Sequence, residues 1–137
     1  MLFRSIAVQS DMSQVDQARR LVSETVKQFG RLDILVNNAG KFTPKPLLET
    51  TEADFDQVIA LHAKDPYFAM QEAAKVLKDG GRIVNISTEG THLSFPGATA
   101  YLGSKAALEQ YRRASRRSWR LEALRSIRFR LALPRRA

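Results

Sequence analysis

Cysteine is absent from the 137 residues of this chain, and histidine occurs only twice. Without thiols there are no disulfides and no thiolate metal sites, and two histidines give little material for a metal centre. We therefore predict no bound metal, and the missing cysteines fit a reducing cytoplasm. Residues 1–10 lack the apolar core of a signal peptide, and no apolar run is long enough to span a bilayer.

Acidic residues are almost missing from the last part of the chain. Residues 112–137 hold ten arginines and a single acid, Glu122, whereas residues 1–111 hold 12 basic and 13 acidic side chains. The formal net charge of +8 therefore belongs to this tail and not to the rest of the chain. A basic arm that binds nucleic-acid phosphates is one interpretation of the pattern.

Segments typical of strands and of helices alternate along residues 1–111. Strands are expected at residues 6–9, 34–36 and 83–86, and helices at residues 13–29, 51–61, 67–77 and from 98 or 99 onward. Ser13 and Thr51 are expected to cap two of the helices, and Gly30 to stop the first. The turn Asp79–Gly81 is expected to end the third helix. This alternation predicts an α/β fold with a parallel sheet and right-handed crossovers.

Tyr101 and Lys105 stand four residues apart on the last predicted helix. This spacing places both side chains on one helix face, where an ammonium group favours the ionised form of a phenol. A phenol with a lowered pKa can act as a general acid or base near neutral pH. Taken alone, however, such a pair occurs often by chance and usually indicates a solvated helix face.

Two blocks precede this pair, LDILVNNAG at residues 32–40 and GRIVNIST at residues 81–88. In this order, and followed by Tyr101 and Lys105, they resemble the short-chain dehydrogenase/reductase family over about residues 6–111. The resemblance implies a Rossmann-like doubly wound parallel sheet. It also implies an NAD(P)-dependent oxidoreductase that interconverts a carbonyl and an alcohol of a small molecule, often as a homo-oligomer.

The resemblance implies a role for each candidate catalytic residue. Tyr101 is expected to donate the proton to the substrate carbonyl, while Lys105 lowers the pKa of Tyr101 and holds the nicotinamide ribose. Thr88 lies thirteen residues before Tyr101, where the family uses a hydroxyl to orient the carbonyl oxygen. Ser87 is the neighbouring hydroxyl that a loop adjustment would recruit.

The implied cofactor is NAD or NADP, and the sequence leaves the choice between them open. Asn38, Ala39 and Gly40 are expected to line it together with the Tyr101–Lys105 pair, because small residues let a ligand approach the backbone. Asp11 is expected to accept a hydrogen bond from the adenine. The alternative for Asp11 is a simple turn residue before the first helix.

Two positions depart from the family pattern. His62 stands where the family has an asparagine that anchors a proton-relay water, and Asp65 stands where it has a glycine. In one interpretation the imidazole of His62 takes over the relay, since a neutral imidazole can hold a water. In the other, the exchange damages the site.

A Gly-x-x-x-Gly-x-Gly turn is absent from the 137 residues. In the family, backbone N–H groups of this turn and the following helix hold the cofactor pyrophosphate. We therefore expect a partial Rossmann-like sheet that lacks the first βαβ segment, with weak or lost cofactor binding and no activity in the chain as it stands. Missing strands also leave sheet edges open, which predicts aggregation or pairing with a partner.

From Arg112 onward the sequence departs from the family, which divides the chain into a partial domain (1–111) and a tail (112–137). Residues 114–134 can be encoded by a nucleotide sequence whose codons were chosen so that a neighbouring frame translates as LAKELAPRGITLNSVSPGPT. This translation resembles the continuation that the family has. This favours a frameshifted or disordered tail over a functional basic arm. A further alternative is a non-catalytic fragment that associates with an intact paralogue through the helices at residues 51–77 and 99–111.

Overall fold

The structure is a computed structural model that describes residues 4–93, 95–118 and 124–129. Three parallel strands form one sheet in the order β1-β2-β3, namely β1 (Leu32–Asn37), β2 (Leu77–Thr88) and β3 (Leu124–Phe129). The helices are α1 (Val15–Phe29), α2 (Glu52–Ile59), α3 (Asp65–Val76) and α4 (Thr99–Ser118). Parallel pairing requires crossovers, which α2 and α3 supply between β1 and β2, and α4 between β2 and β3. The predicted α/β class is thereby confirmed.

Helix α1 ends as predicted and begins differently. Gly30 adopts φ 75°, a left-handed conformation that glycine reaches at little cost, and its N–H donates to the Val26 carbonyl at 2.7 Å. The N-cap residue is Gln14 and not Ser13. The backbone N–H and hydroxyl of Ser13 both donate to Asp11 Oδ1, at 2.9 and 2.7 Å. The prediction for Ser13 is wrong because its side chain closes the preceding turn.

The strand predicted at Ile6–Gln9 does not form. This segment lies outside regular secondary structure, and Ile6 is 47% exposed. In the part of the chain that the structure describes, no strand lies beside it to complete a backbone ladder. An apolar run therefore does not suffice for a strand, because its N–H and C=O groups need a neighbouring strand.

The second and third predicted helices are confirmed, with one shifted end. Thr51 forms a capping box, in which its hydroxyl accepts from the Asp54 N–H at 3.2 Å and the Asp54 carboxylate accepts from the Thr51 N–H at 2.9 Å. Helix α3 ends at Val76, before the predicted stop at Asp79–Gly81, because β2 already begins at Leu77. Residues 78–81 instead form an irregularity in the pairing of β2 with β1.

The core lies between the sheet and the helices that cross over it. Val22 of α1, Leu32 of β1 and Ala73 of α3 form one buried cluster. Met70 and Ile83 form a second, with Leu35 packed against both. Burial of these side chains fixes α1 and α3 on one face of the sheet. The parallel register, which pairs Asn37 with Asn85, places the carboxyl ends of β1 and β2 side by side.

Beyond the predicted domain boundary at Tyr111, α4 continues to Ser118, and β3 pairs with β2. Residues 119–123 and 130–137 of the predicted tail lie outside the described residues. The proposed frameshift, the disorder and the basic arm therefore stay predictions. Among the helices that the structure describes, none is long and apolar enough to cross a membrane.

Strand β1 stands at the end of the sheet order, so one of its edges has no partner among the described residues. Ile34 and Val36 are 55% and 53% exposed there. An exposed apolar edge strand templates pairing with another chain. We therefore expect Ile34→Lys to lower self-association of the purified chain, measured by analytical ultracentrifugation over a concentration series.

The control for this experiment is Leu48→Lys, which adds the same charge at a residue that is 98% exposed and lies outside the sheet. Leu48→Lys should leave self-association close to that of the parent chain. Equal loss of association in both variants would indicate a general effect of charge, and an unchanged Ile34→Lys variant would contradict a role for the β1 edge.

Candidate active site

Lys105 lies on α4 with its ammonium group buried against the end of β2. The residue is 5% exposed, and Nζ donates to the backbone carbonyl of Ile86 at 3.0 Å. An ammonium group has three N–H donors, so this bond leaves two for a ligand. Burial lowers the pKa of Lys105. The side chain therefore presents a localised, partly desolvated donor at the carboxyl end of the sheet.

Tyr101 lies one turn before Lys105 on the same helix. Its ring packs edge-to-face on Phe42 and on His62, with ring centroids 4.9 and 5.3 Å away. Burial raises the pKa of Tyr101, whereas the Tyr-Lys spacing predicted a lowered one. Desolvation thus opposes the lowering expected from Lys105, whose Nζ donates to the Ile86 carbonyl, and the effect of Lys105 on the pKa of Tyr101 stays a prediction.

Gly40 brings the backbone after β1 close to His62 and Lys105. A Cβ atom built on Gly40 would lie 3.3 Å from Nε2 of His62 and 3.4 Å from Nζ of Lys105. The contact at 3.3 Å would be tighter than most Cβ atoms make, so glycine lets the backbone approach without displacing the imidazole. The structure thus brings Gly40, His62, Tyr101 and Lys105 together from three separate segments of the chain.

His62 is completely buried in the π-helical turn Ala60–Lys64 between α2 and α3. Its Nε2 accepts from the backbone N–H of Lys41 at 3.0 Å, and its Nδ1 lies 3.1 Å from the hydroxyl of Ser104. Burial, and second the positive charge of Lys105, lower the pKa of His62 to about 4. The imidazole is therefore neutral at pH 7, with both nitrogens bound to protein atoms.

The two candidate hydroxyls at the end of β2 point to different partners. Ser87 is buried and donates to Glu109 Oε1 on α4 at 3.0 Å, and the hydroxyl of Thr91 donates to the same atom at 2.8 Å. The hydroxyl of Thr88 accepts from the Gly90 N–H at 3.2 Å. Thr88 Oγ1 can still donate its own proton, whereas Ser87 has its proton engaged by a carboxylate.

An asparagine pair ties the two strands together just before the site. Asn37 Nδ2 donates to Asn85 Oδ1 at 2.8 Å, and Asn85 is 1% exposed. Sequence reasoning did not identify this pair. Their matching positions at the ends of two predicted strands were the available signal.

Asn38, Ala39 and Asp65 line a cavity of about 340 Å³ beside β1. Asp65 is 1% exposed, and within the described residues its Oδ1 has no hydrogen-bond partner. Burial, and second the negative charge of Asp11, raise the pKa of Asp65 to about 7. Sequence reasoning noted Asp65 only as a departure from a family glycine, because nothing in the sequence shows its burial.

Asp11 lies in the exposed turn before α1, where its hydrogen bonds are local. Both of the bonds that its carboxylate accepts come from Ser13, and they lower the pKa of Asp11. This is the geometry of a turn residue, which was the alternative interpretation of Asp11. Its expected contact with adenine stays a prediction.

The close approach of Gly40 leads to a testable expectation about stability. Gly40→Ala should lower the free energy of unfolding by about 1 kcal/mol or more, because His62 and Lys105 are both held by hydrogen bonds and yield little space. Gly103→Ala is the matched control, since Gly103 lies within α4 with nothing within 4 Å of an added Cβ. It should raise stability by about 0.5–1 kcal/mol. Urea unfolding measures both, and an equal effect of the two changes would contradict the packing at Gly40.

Known proteins match both the sequence and the fold. The family model described as enoyl-(acyl carrier protein) reductase matches residues 2–127. A hydroxynaphthalene reductase-like protein of Metarhizium brunneum is 40% identical over 112 residues, or 81% of this chain. An uncharacterized oxidoreductase of Methylorubrum extorquens is 43% identical over 105 residues, or 77% of this chain. Each match covers 42% of the relative.

A solved structure gives the same result for the fold. The short-chain dehydrogenase from Burkholderia cenocepacia, crystallised in complex with NADP, has a TM-score of 0.81 and 35% sequence identity. The match covers 84% of this chain and 47% of that one. The chain thus spans less than half the length of the curated relatives it matches. On its sequence, its fold and the grouping of Tyr101, Lys105 and the backbone after β1, the chain belongs to the short-chain dehydrogenase/reductase family of oxidoreductases.

Proposed function

We propose that this chain carries the acid-base part of an NAD(P)-dependent oxidoreductase that interconverts a carbonyl and an alcohol. The observation that carries the proposal is the placement of Lys105, whose buried ammonium group lies between the Gly40 backbone and the Ile86 carbonyl, one turn from Tyr101. The site thus holds a phenol and an ammonium group beside an accessible stretch of backbone. The ammonium group suits a sugar hydroxyl, and the phenol suits a reacting carbonyl.

The residues present fit the ribose and nicotinamide end of NAD or NADP. Lys105 has two donors left for ribose hydroxyls, and Gly40 leaves no side chain between the backbone and a ligand. Asn38 and Ala39 continue this exposed backbone. When bound, the nicotinamide supplies or accepts a hydride. The missing cysteines suggest a location in the cytoplasm, which contains such cofactors.

Tyr101 provides the proton in this proposal. Because burial raises its pKa, the phenol is protonated at neutral pH and is ready to donate to a carbonyl oxygen that gains negative charge. Lys105 then stabilises the phenolate that remains, at a distance of one helical turn. Thr88 is the hydroxyl that orients the carbonyl oxygen, since Ser87 is committed to Glu109.

His62 is less suited to a proton relay than the sequence alone suggested. A relay water needs a free ring nitrogen or a carbonyl nearby, whereas both nitrogens of His62 have protein partners. We propose a structural role for this imidazole in place of the relay.

The 137 residues by themselves are expected to be inactive, since they contain no Gly-x-x-x-Gly-x-Gly turn to hold a pyrophosphate. The experiment that tests the proposal is a chimaera in which residues 6–111 replace the matching segment of the Burkholderia cenocepacia dehydrogenase. We expect NADPH-dependent reduction of a carbonyl compound by the chimaera and none by the isolated chain. A folded chimaera without turnover would contradict the catalytic proposal, and turnover by the isolated chain would contradict its inactivity.

A further inference from the structure

A directed series of hydrogen bonds runs through the buried centre of the site. The Lys41 backbone N–H can only donate, so His62 Nε2 must be the acceptor at 3.0 Å, and the proton of the neutral ring lies on Nδ1. Nδ1 then donates to Ser104 Oγ at 3.1 Å. The hydroxyl of Ser104 donates in turn to the Tyr101 carbonyl at 2.7 Å. Each group thereby has one orientation only.

Ser104 is the member of this series to which sequence reasoning assigned no function. It is 0% exposed, and it lies between Tyr101 and Lys105 on α4, directly before the lysine. Its hydroxyl is the only group of α4 to which His62 is hydrogen-bonded within the described residues. A hydrogen-bonded link from the loop after β1 to the catalytic helix therefore passes through His62 and Ser104, beside the ring contact of Phe42 with Tyr101.

The geometry at Gly40 shows what this contact holds in place. An added Cβ on Gly40 would lie against both His62 Nε2 and Lys105 Nζ, so the imidazole, the ammonium group and the loop backbone fill one shared space. If the imidazole rotated, the Lys41 N–H would lose its acceptor, and this backbone would no longer be fixed beside Lys105. Loss of this partly buried hydrogen bond would oppose the rotation.

We propose that Ser104 is a positioning residue of this site, which orients His62 and through it holds the Gly40–Lys41 backbone against Lys105. The inference rests on the proposed function in one respect, because the position of Lys105 matters for catalysis only if Lys105 holds a ribose. The hydrogen-bond arrangement itself can be measured without turnover.

The test uses the full chain uniformly labelled with ¹⁵N, and records by NMR at pH 7 the backbone amide signals and the tautomer of each histidine ring. Only His62 and His92 contribute, so a His92→Gln variant assigns the signals. We expect His62 to be neutral, with Nδ1 protonated and Nε2 unprotonated. An Nε2-protonated His62 in the unmodified chain would overturn the proposal without the use of any variant at Ser104.

Ser104→Ala removes the acceptor of the Nδ1 proton. We expect the His62 ring signals to move toward a mixture of tautomers, the Nδ1 proton to exchange with water at least tenfold faster, and the Gly40 and Lys41 amide signals to shift. Ser104→Thr keeps a hydroxyl and should restore the original tautomer. Unchanged His62, Gly40 and Lys41 signals in Ser104→Ala would overturn the proposal.

Ser23→Ala is the matched control for loss of a helical serine. Ser23 donates to the Arg20 carbonyl three residues earlier at 2.9 Å, as Ser104 does to Tyr101, but on the exposed side of α1. It should leave the His62 signals unchanged. Should Ser104→Ala fail to fold, the tautomer of the unmodified chain and the Ser104→Thr spectrum still decide the question. Failure of the chimaera to turn over would affect the proposed function and leave this measurement intact.

Discussion

Tyr101→Phe in the chimaera should lower kcat for carbonyl reduction by about 10²–10⁴-fold, the range that loss of a general acid typically produces. The phenylalanine ring keeps the edge-to-face packing on Phe42 and His62, so the change removes the hydroxyl and little else. Because burial keeps the phenol protonated, the effect belongs to proton donation and not to the binding of NADPH. The KM for NADPH should therefore change much less than kcat.

Steady-state oxidation of NADPH, followed by absorbance at saturating carbonyl substrate, measures this effect. Tyr67→Phe is the control, since Tyr67 lies on α3, is 46% exposed and packs on Tyr111 away from Lys105. It should keep kcat within about twofold of the parent. A Tyr101→Phe chimaera that retains more than a tenth of the parent kcat would show that another group donates the proton.

Asp65→Ala should raise the free energy of unfolding by about 1–3 kcal/mol at pH 8, the range for removal of a buried polar group without a partner. Asp65 is 1% exposed, and its Oδ1 has no partner within the described residues. Alanine also suits its position in α3 because it has the highest helix propensity. Most substitutions of buried residues destabilise a protein, so a stabilising one is a specific result.

The raised pKa of Asp65 determines how the stabilising effect of Asp65→Ala changes with pH. Burial raises the pKa of Asp65 from 3.8 to about 7, so the folded chain binds this proton more tightly than the unfolded chain does. The contribution of the protonated carboxyl to stability is complete below pH 3.8 and is lost as the pH rises through about 7. The gain from Asp65→Ala should therefore grow between pH 5 and pH 8.

Urea unfolding at pH 5 and pH 8 compares the parent chain, Asp65→Ala and the control Asp56→Ala. Asp56 is an exposed residue of α2, and its replacement should show no comparable growth with pH. A gain in Asp65→Ala that is equal at both values of pH would indicate that the carboxyl is ionised throughout, and would contradict the raised pKa.

The contribution of His62 to stability changes with pH in the direction opposite to that of Asp65. Its pKa is lowered to about 4 from the ordinary value of 6.5, so its contribution is complete above pH 6.5 and is lost as the pH falls through about 4. The slopes due to His62 and Asp65 oppose each other between pH 4 and pH 7. This is why the Asp65 experiment compares each variant with the parent at the same pH.

The sequence by itself determined the features that depend on neighbouring residues. The cap at Thr51, the stop at Gly30 and the helix that carries Tyr101 and Lys105 follow from side chains a few positions apart, and the structure agrees with each, whereas the cap expected at Ser13 is wrong. The alternation of these elements also sufficed for the α/β class, because parallel strands require crossovers.

Only the tertiary structure decided what happens where distant segments meet. The direction of the pKa shift at Tyr101, the burial of Asp65 and the bonds from Lys41 through His62 to Ser104 all depend on segments brought together across the sheet. Desolvation and hydrogen-bond partners are set by this packing, and residue spacing along one helix carries no information about them. The strand expected at Ile6–Gln9 is absent for the same reason, since a strand exists only beside another.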